Sequence, residues 1–164
     1  MTDISLKSVI IAGFVCYLFI ILVVFFRAMT KGQRLRRKVK ALASDAAEIT
    51  PERFFKLRSM SDGKSRRFLS SKYNFAGVYI LFNKTRNMYY VGQGQNVFDR
   101  VNRHFTGKGN GDVYADYKYG DKFTIRMIEL KYSGFNDLNE LERKTIEIYD
   151  AYSSGYNKTH GNIT

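Results

Sequence analysis

Between Val9 and Phe26 the chain runs for 18 residues, VIIAGFVCYLFIILVVFF, without a charge or a proline. As a helix this run is about 27 Å long, close to the thickness of a bilayer's hydrocarbon core. A helix apolar on every side needs either a large core or lipid around it. A secretory signal would carry a basic start, a shorter apolar stretch and small residues before cleavage. Here the start is nearly uncharged and the run ends in Phe25-Phe26-Arg27. The sequence therefore predicts a single transmembrane anchor over residues 1–26. Lys7 stands alone on the amino side, whereas Arg27, Lys31, Arg34, Arg36, Arg37, Lys38 and Lys40 crowd the other. This asymmetry predicts an amino terminus outside, the rest in the cytoplasm, and attachment to the inner or plasma membrane. Residues 9–26 would sit in lipid and residues 27–40 against anionic headgroups. Cys16, in mid-span, reads as filler.

The 164 residues leave room for one domain beyond the anchor. Of the net charge of +12, residues 27–72 carry +10 and residues 73–164 only +2. The expected organisation is an anchor (1–26), a basic, partly helical connector (27–72) and a catalytic domain (73–164). Thr50-Pro51-Glu52 has the pattern of a helix cap, first-turn proline and favourable acid, opening a short helix through Phe54, Phe55 and Leu57. A polar run, SDGKSRR, follows. The basic run serves as a topology signal that holds acidic headgroups, or as a nonspecific phosphate track, and the two are compatible. One cysteine and two histidines exclude a disulfide framework, a cysteine zinc site and a multi-histidine metal centre.

From Tyr73 the pattern changes. Residues 77–82 (GVYILF) and 88–92 (MYYVG) read as two strands joined by a turn at Asn83–Asn87. Asn96–Phe105 fits a helix, Lys122–Lys131 a strand and Leu138–Tyr152 a longer helix. The fold class predicted is α/β: a small domain with a three-stranded antiparallel sheet flanked by helices, behind one transmembrane helix.

GVY, ten residues and YVG stand in this stretch, followed by Arg100-x-x-x-His104, Glu142-x-x-x-Ile146 and Gly155-Tyr156-Asn157. These four motifs, in order over residues 76–162, resemble the GIY-YIG nucleases, a family of homing endonucleases, a DNA-repair excinuclease subunit and some restriction enzymes. The resemblance implies phosphodiester hydrolysis with one divalent cation, Mg²⁺ or Mn²⁺, held by Glu142. It makes Tyr79 the preferred base, Tyr90 the second tyrosine, Arg100 the phosphate clamp and His104 a proton-transfer or orienting group. Gly92, Lys108 and Asn157 become candidate substrate contacts.

The residues agree with these roles on independent grounds. On a helical projection Leu138, Leu141, Thr145, Ile148, Tyr149 and Tyr152 share one face, and the charged residues lie opposite except Glu142, at the apolar edge. Arg100 and His104, four apart, are neighbours on one helix face. Arginine's planar fork suits phosphate, and a histidine near neutral pKa suits proton transfer. Tyrosine, with a reference pKa of about 10, needs help to act as a base. A four-residue hairpin loop at Asn83–Arg86 would set Tyr79 opposite Tyr90, and a five-residue loop would offset them; pattern alone leaves both open. The family often carries a further His or Lys after the Arg-x-x-x-His helix, where this chain offers Asp112, with Lys108 and Tyr114 nearby. His160 lies in a polar tail.

The expected function is a membrane-anchored, metal-dependent endonuclease cutting DNA, with RNA the lesser alternative, at the membrane where foreign DNA such as phage DNA enters. The alternative is a catalytically inactive, membrane-bound nucleic-acid binder or exclusion factor with the same fold.

Overall fold

A computed structural model describes residues 6–61 and 74–162. Tyr73 and residues 62–67 of the polar run lie outside the described residues. The chain divides into two compact units, Met1–Lys38 and Val39–Thr164.

The first unit is the greater part of helix α1 (Leu6–Asp45), 40 residues long. The change of composition at Arg27 does not end the helix, because Arg, Lys, Gln, Leu and Ala all favour helix. Along the apolar run the side chains are bare: Phe14 is 60% exposed, Phe19 64% and Phe25 62%. The helix is long and apolar enough to cross a membrane.

The second unit is built on an antiparallel sheet in the order β2-β1-β3, from β1 (Gly77–Asn83), β2 (Met88–Gly94) and β3 (Phe123–Glu129). Around it lie α2 (Pro51–Ser59), α3 (Val97–Phe105), α4 (Gly111–Lys118), the single turn α5 (Leu130–Ser133) and α6 (Leu138–Ile148). This is the three-stranded antiparallel sheet with flanking helices that the sequence predicts. Helix α4 is an addition. The run KGNGD reads as loop, but the Asn110 side chain accepts from the Asp112 and Val113 N–H groups and so starts a helix there.

Alternation along the strands gives the sheet two working faces. On one, Tyr79, Leu81, Phe123 and Ile125 pack with Val97, Val101 and Phe105 of α3, Val113 of α4, Phe54 of α2 and Tyr156. On the other lie Val78, Ile80 and Val91, and α6 packs against β2 and β1. The hairpin pairs Asn83 with Met88, so its loop is Lys84–Asn87. The Asn83 side chain accepts from the Thr85 and Arg86 N–H groups, and Asn87 takes the left-handed conformation (φ 55°) that asparagine tolerates. Neither register considered from the sequence is the one found: Tyr79 pairs with Gly92, and Tyr90 with Leu81. The two tyrosines are diagonal neighbours on one face, ring centroids 6.2 Å apart.

The compact unit begins at Val39, well inside the stretch that composition marks as connector. Val39 and Ala43, in the last turns of α1, are fully buried. Ile49 forms an antiparallel bridge with Ile125 at the free edge of β3. Glu48 is paired with both Lys84 and Arg126, and Arg126 Nη1 also donates to the Ala43 carbonyl at 2.8 Å. These two cations hold the Glu48 carboxyl at about 2, Lys84 contributing most. Thr50 caps α2 as expected, accepting from the Arg53 N–H, and the helix drives Phe54 into the core.

Candidate active site

A cleft of about 520 Å³ opens beside the carboxyl end of β2. Tyr90, Gly92, Arg100, Glu142 and Asn157 are among its lining residues. Groups from both faces of the sheet meet here because β2 is an edge strand whose last residues, Gly92-Gln93-Gly94, carry side chains on one face only.

The glycines are required by close approach. A Cβ on Gly92 would overlap the Tyr79 hydroxyl. One on Gly94 would come within 2.5 Å of Arg100 Cγ. Tyr79 and the stem of Arg100 therefore lie directly over the strand, which no side chain at those positions would permit.

On the α3 side, three groups form a directed chain. The Asn110 N–H donates to His104 Nδ1 at 3.0 Å. Burial, with Arg100 nearby, lowers the His104 pKa to about 4, so the ring is neutral at physiological pH. A neutral imidazole accepting at Nδ1 carries its hydrogen on Nε2. His104 Nε2–H therefore donates to Tyr79 Oη, 2.8 Å away. Beyond Tyr79 stands Tyr90, ring centroids 6.2 Å apart. Tyr79 is fully buried, and burial pushes its pKa far up. Tyr90 is also raised by burial, an effect that the nearby Arg100 charge opposes by favouring its anion. Of the two, Tyr90 is the one whose ring lines the cleft.

On the α6 side stands Glu142, 8% exposed, its carboxyl raised by burial and partly restored by hydrogen bonds from Asn162 and Gln93. Gln93 Nε2 donates to Glu142 Oε2 at 3.0 Å, and the Asn162 N–H approaches the same oxygen at 3.4 Å. The described residues give Oε1 no hydrogen bond. Arg100, half-buried across the cleft, acts on Glu142, Tyr79 and Tyr90 through its charge, and among the described residues its guanidinium makes no hydrogen bond or ion pair. The cleft lining thus combines Tyr90 with a carboxylate oxygen and a guanidinium that make no hydrogen bond among the described residues.

The family model for the GIY-YIG catalytic domain matches residues 75–157, just over half of the chain. The chain belongs to the GIY-YIG family. It therefore carries a nuclease domain, a phosphodiester hydrolase. Among solved structures, it is similar to a mutant form of the catalytic domain of intron endonuclease I-TevI, at 21% identity. The match covers 54% of this chain and 98% of that one, with a TM-score of 0.41. No relative is found among curated proteins.

Set against the sequence expectations, this GIY-YIG domain brings Tyr79, Tyr90, Arg100, His104 and Glu142 together, but only Tyr90, Arg100 and Glu142 line the cleft. Tyr79 and His104 stand behind Tyr90. Gly92 lines the cleft and makes room for Tyr79. Lys108, expected to touch substrate, is exposed and lies outside the cleft lining; its carbonyl accepts from Arg103 Nε. Asn157, also expected to touch substrate, has both ends of its amide engaged with strand β2. Its Oδ1 accepts from the Val91 N–H at 2.9 Å, and its Nδ2 donates to the Val91 carbonyl at 2.7 Å. It closes the open edge of β2 beside Tyr90. Tyr156 is likewise architectural, donating to Asp116 and accepting from Asn83 in the buried core. Asp112 pairs with Lys158 of the cleft lining, and the His160 ring lies tilted against Tyr152, ring centroids 3.8 Å apart.

The cleft residues that escaped the sequence reading include Gln93, Asn110, Asn139, Lys158 and Asn162. The only signal available was at Asn110, where Asn-Gly-Asp is a helix-start pattern. Neutral amides at Gln93 and Asn139 leave no mark in charge or periodicity.

Proposed function

We propose that the chain is a membrane-anchored endonuclease that hydrolyses DNA phosphodiester bonds with one Mg²⁺ or Mn²⁺ bound by Glu142. The observation that supports this reading is one cleft lined by Tyr90, Glu142 and Arg100, in which Glu142 Oε1 and the Arg100 guanidinium make no hydrogen bond among the described residues.

The residues fit such an ion. Among the described residues no cluster of three His, Cys, Asp or Glu exists, so the protein offers one carboxylate oxygen in a polar cleft. Mg²⁺ commonly binds in this way, keeping several waters and using one or two carboxylates together with substrate phosphate. When bound, the ion polarises phosphoryl oxygens and makes water more acidic. Glu142 Oε1 would hold it. Arg100 grips the phosphate through its planar fork and offsets the charge that builds in the transition state. Tyr90, as the tyrosinate, would orient the attacking water and take its proton to become the neutral phenol, while solvent water protonates the departing oxygen. The Arg100 charge favours the anionic form of the Tyr90 oxygen, and Tyr79, held by His104, packs behind the Tyr90 ring. Tyr79 and His104 are positioning residues in this scheme, which moves the base role from the first tyrosine to the second.

Comparing Tyr90→Phe with Tyr79→Phe tests that assignment, since both keep the ring and lose only the hydroxyl. In a Mg²⁺-dependent plasmid-nicking assay Tyr90→Phe should lower kcat by at least about 10²-fold, as for removal of a general base, and Tyr79→Phe by about tenfold. A larger loss from Tyr79→Phe would return the base role to Tyr79.

Membrane attachment rests on the bare apolar surface of α1 and on the basic residues that follow it. The amino terminus would lie outside and the nuclease domain in the cytoplasm, with residues 27–40 against anionic headgroups. Such tethering confines cutting to DNA at the membrane, such as phage DNA during entry. The full chain should stay in the membrane pellet through alkaline carbonate extraction and restrict incoming phage DNA. Release into the supernatant would remove the anchor; equal restriction by a chain lacking residues 1–26 would remove the purpose assigned to it.

A further inference from the structure

A carboxylate can meet a cation with one oxygen or with both, and the surroundings of Glu142 decide between these. Its Oε2 already accepts from Gln93 Nε2 at 3.0 Å and from the Asn162 N–H, while Oε1 is left to the cleft. The Gln93 amide is itself pinned. Its second hydrogen goes to Asn139 Oδ1 at 2.5 Å, and Asn139 lies one helical turn before Glu142 on α6. Turning the amide over would point its oxygen at both a carboxylate and a carbonyl. Gln93 is also fixed from behind, since β2 pairs it with Val78 of β1.

We propose that Gln93 is a positioning residue that restricts Glu142 to single-oxygen coordination through Oε1 and so makes the site select a small octahedral cation over calcium. The proposal rests on the reading that Glu142 holds a divalent ion. The chemistry follows from the two ions' preferences. Mg²⁺ demands octahedral geometry and dehydrates reluctantly, so one carboxylate oxygen and several waters satisfy it. Ca²⁺ takes six to eight oxygens in looser geometry and gains from carboxylates that bind with both oxygens. A site whose single carboxylate has one oxygen tied down gives calcium little that water does not. Removing the Gln93 amide leaves Oε2 with only the longer contact from the Asn162 N–H at 3.4 Å, so Oε2 can turn to the ion, which helps calcium more than it helps Mg²⁺ or Mn²⁺.

The test is a competition measured without turnover. Purified full-length chain in detergent micelles is titrated with Mn²⁺, free Mn²⁺ being read by electron paramagnetic resonance, and Ca²⁺ is then added as competitor. Wild type should bind one Mn²⁺ that Glu142→Ala abolishes, and Ca²⁺ should displace it poorly. In Gln93→Leu the preference for Mn²⁺ over Ca²⁺ should fall by about tenfold, within the range by which groups supporting a metal ligand alter affinity. Simple loosening of the fold would weaken both ions together and leave the ratio unchanged, and an unchanged ratio overturns the proposal. Asn139→Ala, which frees the Gln93 amide to turn, should move the ratio in the same direction and carries the test should Gln93→Leu unfold. If wild type binds no Mn²⁺, or Glu142→Ala leaves binding intact, it is the metal reading that fails.

Discussion

A fragment beginning at residue 73 should not fold cooperatively, whereas one beginning at Val39 should, although charge and composition place the domain boundary at the former. The shorter fragment lacks Phe54, which is fully buried and stacked on Phe98 at 5.8 Å. Losing a buried phenylalanine side chain alone costs about 3–5 kcal/mol, against a typical domain stability of about 5–15 kcal/mol. It also lacks Val39, Ala43 and Pro51 from the packed interior. Lys84 and Arg126 lose their shared partner Glu48, and the free edge of β3 loses the bridge from Ile49. Urea titration followed by circular dichroism would show a sigmoidal transition for residues 39–164 and a shallow drift for 73–164. Matching midpoints would mean that residues 39–59 are dispensable to the core.

Replacing Glu142 by glutamine should abolish cutting while sparing the fold and DNA binding. Glutamine keeps the shape and one oxygen for the Gln93 amide, but it presents no charge to a cation. Loss of the several kcal/mol that a bound divalent ion supplies to the transition state corresponds to at least about a 10³-fold fall in kcat. DNA binding should persist in a gel-shift assay, because Arg100 is untouched, and should weaken steeply as salt rises. If neither wild type nor Glu142→Gln cuts plasmid in Mg²⁺ or Mn²⁺ while both bind DNA, the chain is the inactive binder considered as the alternative. Equal cutting by both would remove Glu142 from the chemistry.

Where the sequence could be read, a periodic or steric constraint had left a trace. Glu142 stood out because a charge at the edge of an apolar helical face is anomalous, and it is the one acidic residue of α6 that is buried. The hairpin was legible from its two aromatic strands, but its register was not. A shift of one residue in the loop changes every partner, and the Asx turn at Asn83 moved the loop one position beyond either expected arrangement. The contribution of residues 39–59 was hidden because their few core residues lie among charges that make the stretch look solvated. Tyr79 and Tyr90 are equivalent by type and strand position. Only the three-dimensional packing, with Tyr79 laid across Gly92 under His104, separates the one that meets the cleft from the one that does not.

The clamp of Asn157 on Val91 spans 66 residues of sequence, and Asn162 reaches back to Glu142 across another 20. Contacts so distant along the chain carry a larger loop-closure cost than local ones. Residue 157 must have left the ribosome before the edge beside Tyr90 can close, and residue 162 before Glu142 Oε2 gains its backbone donor. While these residues are still being synthesised, the cleft lacks one wall and Glu142 one of its two donors.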